Sequence, residues 1–160
     1  MKKIAIVMGS KSDMPVVEKA LKRLSDWGVP TVVRILSAHR TPDEVAEFAA
    51  SARNDGVGAI IAAAGKAAAL PGSLAACTTL PVIGLPIQSS FMDGLDSLLS
   101  MTQMPPGVPV ATVGTNAADN AAILAVQILA VTDNEAEKVL DEYKRSMREK
   151  VLADDASVNA

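Results

Sequence analysis

Lys3-Ile-Ala-Ile-Val-Met-Gly-Ser-Lys-Ser-Asp13 opens with a nearly unbroken apolar run and stops at a Gly-Ser pair. A strand buried on both faces reads this way, because polar alternation appears only where one face meets water. A helix pattern follows at once, with Val17, Ala20, Leu21 and Leu24 at i, i+3, i+4 and i+7 and Pro15 near its first turn, where a missing N–H costs little. Trp27 to Pro30 closes that helix, and Thr31 to Leu36 reads as a second strand. Strand, turn and helix at this spacing form the repeating unit of a parallel sheet.

Outward from that unit the pattern repeats. Thr41-Pro42-Asp43-Glu44 reads as a capping box with Pro in the first helical position, ahead of an apolar stripe of Val45, Phe48, Ala49 and Ala52. Gly58 to Ala64 is a third strand, a short helical piece runs through Ala76, and Pro81 to Leu85 is a fourth strand. Gly94 to Thr102 reads as helix, Val108 to Val113 as a fifth strand, and Ala117 to Ala130 as an alanine-rich helix. A last helix, about 135–152, carries Ala136, Val139, Leu140, Tyr143, Met147 and Val151 on one face, with a frayed tail expected from Asp154. The fold expected is a doubly wound α/β sheet in a single domain, 1–160. Ligands should bind at the carboxyl ends of its strands.

Composition narrows the function classes. The chain has 160 residues, 49% hydrophobic, enough to build a core and too few for two large domains. A net charge of −3 offers no electrostatic reason to expect nucleic acid or an anionic membrane. One cysteine and one histidine exclude an internal disulfide and any multi-Cys or multi-His metal centre. Only five apolar residues precede Gly9, too few for a signal peptide, and no apolar run is long enough for a membrane span. A soluble, cytoplasmic protein is expected.

Charge is unevenly spread. From Val57 to Thr132 the only charged side chains are Lys66, Asp93, Asp96 and Asp119. Either this neutral middle contacts other subunits, or it forms the internal sheet and the helices that cover it; oligomerisation is the favoured reading.

Three loops carry chemistry-bearing residues. Gly9 to Asp13 offers hydroxyls and free N–H groups at a helix start, suited to a phosphate, with Asp13 better suited to sugar hydroxyls. Equally, Ser12 or Asp13 is simply a helix cap. Ser37-Ala38-His39-Arg40 sets the only histidine beside an arginine: a proton-transfer group next to a rigid fork for phosphate or carboxylate. Gly65 to Gly72 is rich in small residues, which let a planar ligand approach the backbone; its Lys66 either contacts an anion or is solvated. Cys77 is expected to be a buried, inert thiol, since no second histidine is present to activate it. Met92, Met101 and Met104 read as packing or interface residues.

Taken in order, VMGSKSD (7–13), SAHRTP (37–42), AGKAAALPG (64–72), GLDSLLSMTQMPPGVPVAT (94–112) and NAAILAVQILA (120–130) closely resemble the PurE family. The resemblance implies a three-layer α/β/α flavodoxin-like sandwich whose C-terminal helix packs on a neighbouring subunit of a homo-octamer. It implies movement of a carboxylate from N5 to C4 of an aminoimidazole ribonucleotide in purine biosynthesis, with no metal, nucleotide or organic cofactor. His39 would be the catalytic, proton-transferring residue. Ser10, Ser12, Asp13, Ser37 and Arg40 would hold the ribose phosphate, and Ala64, Gly65, Lys66 and Leu70 the base and carboxylate. SAHR, in place of the SAHK typical of the animal-type carboxylase, favours mutase chemistry over direct use of carbon dioxide. One position departs from the family pattern AGxAAHLPG: Ala69 stands where the histidine belongs. That absence keeps a catalytically weakened ribonucleotide-binding homologue as the alternative beside the direct carboxylase.

Overall fold

A computed structural model describes residues 1–159. Five parallel strands, β1 (Lys3–Met8), β2 (Thr31–Ile35), β3 (Val57–Gly65), β4 (Val82–Ile87) and β5 (Ala111–Thr112), form one sheet in the order β2-β1-β3-β4-β5. Six helices connect and extend them: α1 (Met14–Asp26), α2 (Pro42–Ser51), α3 (Leu70–Ala76), α4 (Leu95–Thr102), α5 (Ala118–Ala130) and α6 (Asn134–Val158). The strand order reverses between β1 and β3, so their carboxyl ends, Gly9 and Gly65, flank the crevice where such sheets bind ligands.

The apolar runs form central strands because they supply two cores at once. Ile4, Ile6 and Met8 of β1 and Ala59, Ile61 and Ala63 of β3 face one side, against α1, α5 and Ala136 of α6. Ala5, Val7, Ile60, Ala62 and Ala64 face the other, against α2, α3 and Met101 of α4. Each fully buried Ile, Val or Met side chain among these contributes about 1.5–3 kcal/mol, and each alanine less. Small residues set the spacing: a Cβ on Gly58 would lie 2.4 Å from Leu129 Cδ2, so any larger residue there would force the Leu129 side chain of α5 to shift.

A staple fixes the helices on the first face. Arg23 of α1 donates to both carboxylate oxygens of Asp119 on α5, at 2.7 and 3.0 Å. Its guanidinium lies 5.2 Å from the Trp27 ring and 4.7 Å from the Tyr143 ring of α6.

Several boundaries differ from expectation. The fifth strand pairs only at Ala111–Thr112, because Pro109 has no N–H to give and Pro105 to Gly107 turn the chain just before it. The fourth strand runs two residues further, to Ile87. The last helix does not fray at 152 but continues to Val158; Asp133 caps its start through the N–H groups of Glu135 and Ala136, and no Gly or Pro interrupts it. Cys77 is exposed rather than buried, since α3 ends at Ala76 and releases it at the helix terminus.

The neutral middle divides in two. β3, β4 and the inner face of α5 are internal. Phe91, Met92, Leu95 and Leu99 remain exposed, with Phe91 at 62%. Beyond Tyr143, α6 leaves the body of the domain, and Met147, Val151, Leu152 and Val158 are exposed along it. Among the described residues no helix is long and apolar enough to cross a membrane.

Candidate active site

The loops after β1, β2, β3 and β4 surround one cavity of about 550 Å³. Every site residue expected from the sequence lines it: Ser10, Ser12 and Asp13 from the first loop, Ser37, His39 and Arg40 from the second, Ala64, Gly65, Lys66 and Leu70 from the third. Ala69 lines it as well.

The first loop is a 3-10 turn, Lys11–Asp13, whose N-terminal end is closed by a reciprocal pair of side-chain caps. Ser12 N–H donates to Ser10 Oγ at 3.2 Å, and Ser10 N–H donates to Asp13 Oδ2 at 3.2 Å. This reciprocal box stands here and not at Thr41, where it was expected. Thr41 Oγ1 accepts from Ser37 N–H at 2.9 Å and donates to Ser37 O at 3.1 Å, closing the second loop instead of capping α2. Pro42 in the first turn lets the helix begin without that cap.

Asp13 is buried, with 8% of its surface exposed. Burial pushes its carboxyl above the ordinary aspartate value, while the Ser10 N–H and the Ser12 hydroxyl pull the other way. Arg40 crosses to the first loop: Nη2 donates to Gly9 O at 3.0 Å and Nε to Ser37 Oγ at 3.3 Å. Lys66 is exposed and holds a left-handed backbone, φ 57°, at the end of β3.

Sequence reasoning assigned no site residue to the stretch after β4. Ile87, Gln88, Ser89 and Ser90 complete the wall. Ser89 Oγ lies 3.2 Å from both oxygens of Asp96, and the buried Ser97 hydroxyl lies 2.8 Å from Gly94 O and 3.0 Å from Ile87 O. The polar run Gln-Ser-Ser behind an apolar strand was the available signal, obscured because the strand was expected to end at Leu85. Among the described residues no cluster of three or more His, Cys, Asp or Glu is arranged to hold a metal ion.

A doubly wound parallel sheet with a cavity of ligand size across its strand-order reversal defines a small-molecule-binding α/β protein. A family model described as AIR carboxylase matches residues 3–150. N5-carboxyaminoimidazole ribonucleotide mutase of Pyrococcus abyssi is 52% identical over 148 residues, 92% of this chain and 85% of that one. Phosphoribosylaminoimidazole carboxylase of Saccharomyces cerevisiae is 50% identical over 149 residues, 93% of this chain but 26% of that one. The crystal structure of Treponema denticola PurE is similar with a TM-score of 0.91 at 31% identity, covering 99% of both chains. The chain belongs to the PurE, or AIR carboxylase, family.

Proposed function

We propose that this chain catalyses the N5-carboxyaminoimidazole ribonucleotide mutase reaction of purine biosynthesis, moving the carboxylate from N5 to C4 of the imidazole. The observation that carries this reading is the convergence of His39, Arg40, the serine loop and the 64–70 loop on one cavity of ligand size, in a chain half identical to a mutase along most of its length.

The phosphate lies between the Ser10 and Ser12 hydroxyls and Arg40, on the β1 and β2 side. Asp13 and Ser37 face the ribose. The base lies over the β3 and β4 side, against Ala64, Gly65 and Leu70, with Lys66 near its carboxylate. Arg40 supports this polarity, since its guanidinium already bridges the two loops and keeps N–H groups for an anion.

The chemistry asks little of the protein beyond placement and one proton. The N5–carboxyl bond breaks and N5 gains a proton; the C4–carboxyl bond forms and C4 loses one. Atoms and charge therefore balance with a single side chain that gives a proton and takes one back. His39, the chain's only imidazole, has the residue chemistry for that exchange. Substrate positioning supplies the remainder, by holding the released carboxyl carbon beside C4.

The reaction needs no cofactor, and the chain acts as a single domain, 1–160, in the cytoplasm. The protein is a homo-oligomer of octameric size, with the outer half of α6 on a neighbouring subunit, a reading supported by its exposed apolar stripe. Ala69 favours one competing reading, a ribonucleotide binder with little turnover. Conversion of N5-carboxyaminoimidazole ribonucleotide in a bicarbonate-free assay tests the proposal. Turnover there supports the mutase, turnover only with added carbon dioxide points to the carboxylase, and binding without turnover points to the binder.

A further inference from the structure

The wall after β4 contains an amide whose orientation is forced by a residue outside the cavity. Asn116 stands beyond β5 with a left-handed backbone, φ 58°, and its own N–H donates to Pro86 O at 2.8 Å. Its side chain reaches Gln88 twice. Gln88 N–H donates to Asn116 Oδ1 at 3.0 Å, and Asn116 Nδ2 donates to Gln88 Oε1 at 3.1 Å.

These two bonds settle which way both amides face. A backbone N–H only donates, so the atom opposite it must be the Asn116 oxygen. The Asn116 nitrogen then faces Gln88, which must present its own oxygen. Both Gln88 Nε2 hydrogens are left over, and no described residue accepts from them. Gly94 seals the clamp from behind: a Cβ there would lie 2.9 Å from Gln88 Cα.

Register says which end of the cavity receives this donor. Gly65 of β3 pairs with Ile87 of β4, so Lys66 and Gln88 open adjacent loops. That is the end opposite the serine loop and Arg40. We propose that Gln88 is a specificity-determining residue that donates from Nε2 to the carboxylate of the ribonucleotide, and that Asn116 is the positioning residue that holds it in that orientation. The inference rests on the mutase reading and extends it to residues outside the three recognised loops.

Calorimetry with two probes tests it: 4-carboxy-5-aminoimidazole ribonucleotide and its carboxylate-free counterpart, 5-aminoimidazole ribonucleotide. Gln88→Leu should weaken the carboxylated ligand about tenfold, as expected for loss of one charge-assisted hydrogen bond, and leave the other within about twofold. Asn116→Gly, compatible with the positive φ, should weaken the carboxylated ligand in the same selective way. It should add nothing in the Gln88→Leu background. Asn116→Asp keeps the acceptor for Gln88 N–H but draws Nε2 toward itself, so it should also lose selectivity while melting at an unchanged temperature. Losses that fall equally on both ligands, losses that add in the double variant, or an Asn116→Asp chain indistinguishable from the parent would overturn the inference. A parent chain that binds neither ribonucleotide would overturn the mutase reading itself, and this inference with it.

Discussion

Arg40 Nη2 donates to the carbonyl oxygen of Gly9 at 3.0 Å, tying the loop that follows β2 to the loop that follows β1. The two strands are parallel neighbours with Met8 opposite Ile35, so their loops leave the sheet side by side. One guanidinium therefore both braces the crevice and faces it.

Replacing Arg40 with Ala should weaken ribonucleotide binding by about 2 kcal/mol, roughly thirtyfold, through loss of a charge-assisted contact. Arg40→Lys should recover part of this, since it keeps the charge and loses the fork. Titration calorimetry reads both variants. Affinity within a factor of two of the parent in Arg40→Ala would mean the phosphate binds elsewhere.

His39→Asn should abolish turnover and leave ribonucleotide affinity within about threefold, as expected for a proton carrier that contributes little to ground-state binding. Ala69→His should leave affinity similar and raise turnover. Steady-state rates paired with binding constants separate the cases. If Ala69→His has no effect and the parent already turns over at full enzymatic rates, a second histidine is dispensable here; if that variant binds and stays inactive, the binder reading prevails.

Asp13 makes a pH-dependent contribution of definite sign. Burial raises its carboxyl above the ordinary value of 3.8, so the folded chain holds that proton more tightly than the unfolded chain. The contribution favours folding below that ordinary value and is lost as pH rises through the raised one. Asp13→Asn cannot titrate. Its melting temperature relative to the parent should therefore improve between about pH 3.5 and pH 7. A difference that stays flat across that range, or moves in the parent's favour, contradicts the burial argument.

Sedimentation should find a species several times the 16.5 kDa chain mass. Val151→Glu, on the exposed outer half of α6, should shift it toward smaller species by placing a charge in an apolar contact. A parent chain that remains monomeric at micromolar concentration would contradict the oligomer reading of both the neutral middle and α6.

Much of the architecture was legible because apolar periodicity is a local property. β1 was identifiable as doubly buried from its unbroken apolar run, β3 and β4 were identifiable as strands from theirs, and Pro42 marked the start of α2 without tertiary information. The edges were not. β5 shrinks to two residues because pairing depends on donors that Pro109 cannot supply and on how the preceding turn delivers the chain. The end of α6 lies beyond the expected one because no Gly or Pro stops a helix already propagating from Asp133 after its packing contacts end.

The site divides along the same line. Sequence alone determined the doubly wound sheet, the three loops at its carboxyl end and the pairing of the only histidine with an arginine, since all of these are contained in short contiguous segments. Tertiary structure decided that Thr41 closes the second loop rather than capping α2, that Asp13 is buried against Ser10, and that Asn116 orients Gln88 across 28 residues. A hydrogen-bond acceptor has several partners within reach in sequence, and which one it takes depends on distances set only when the strands are brought into register.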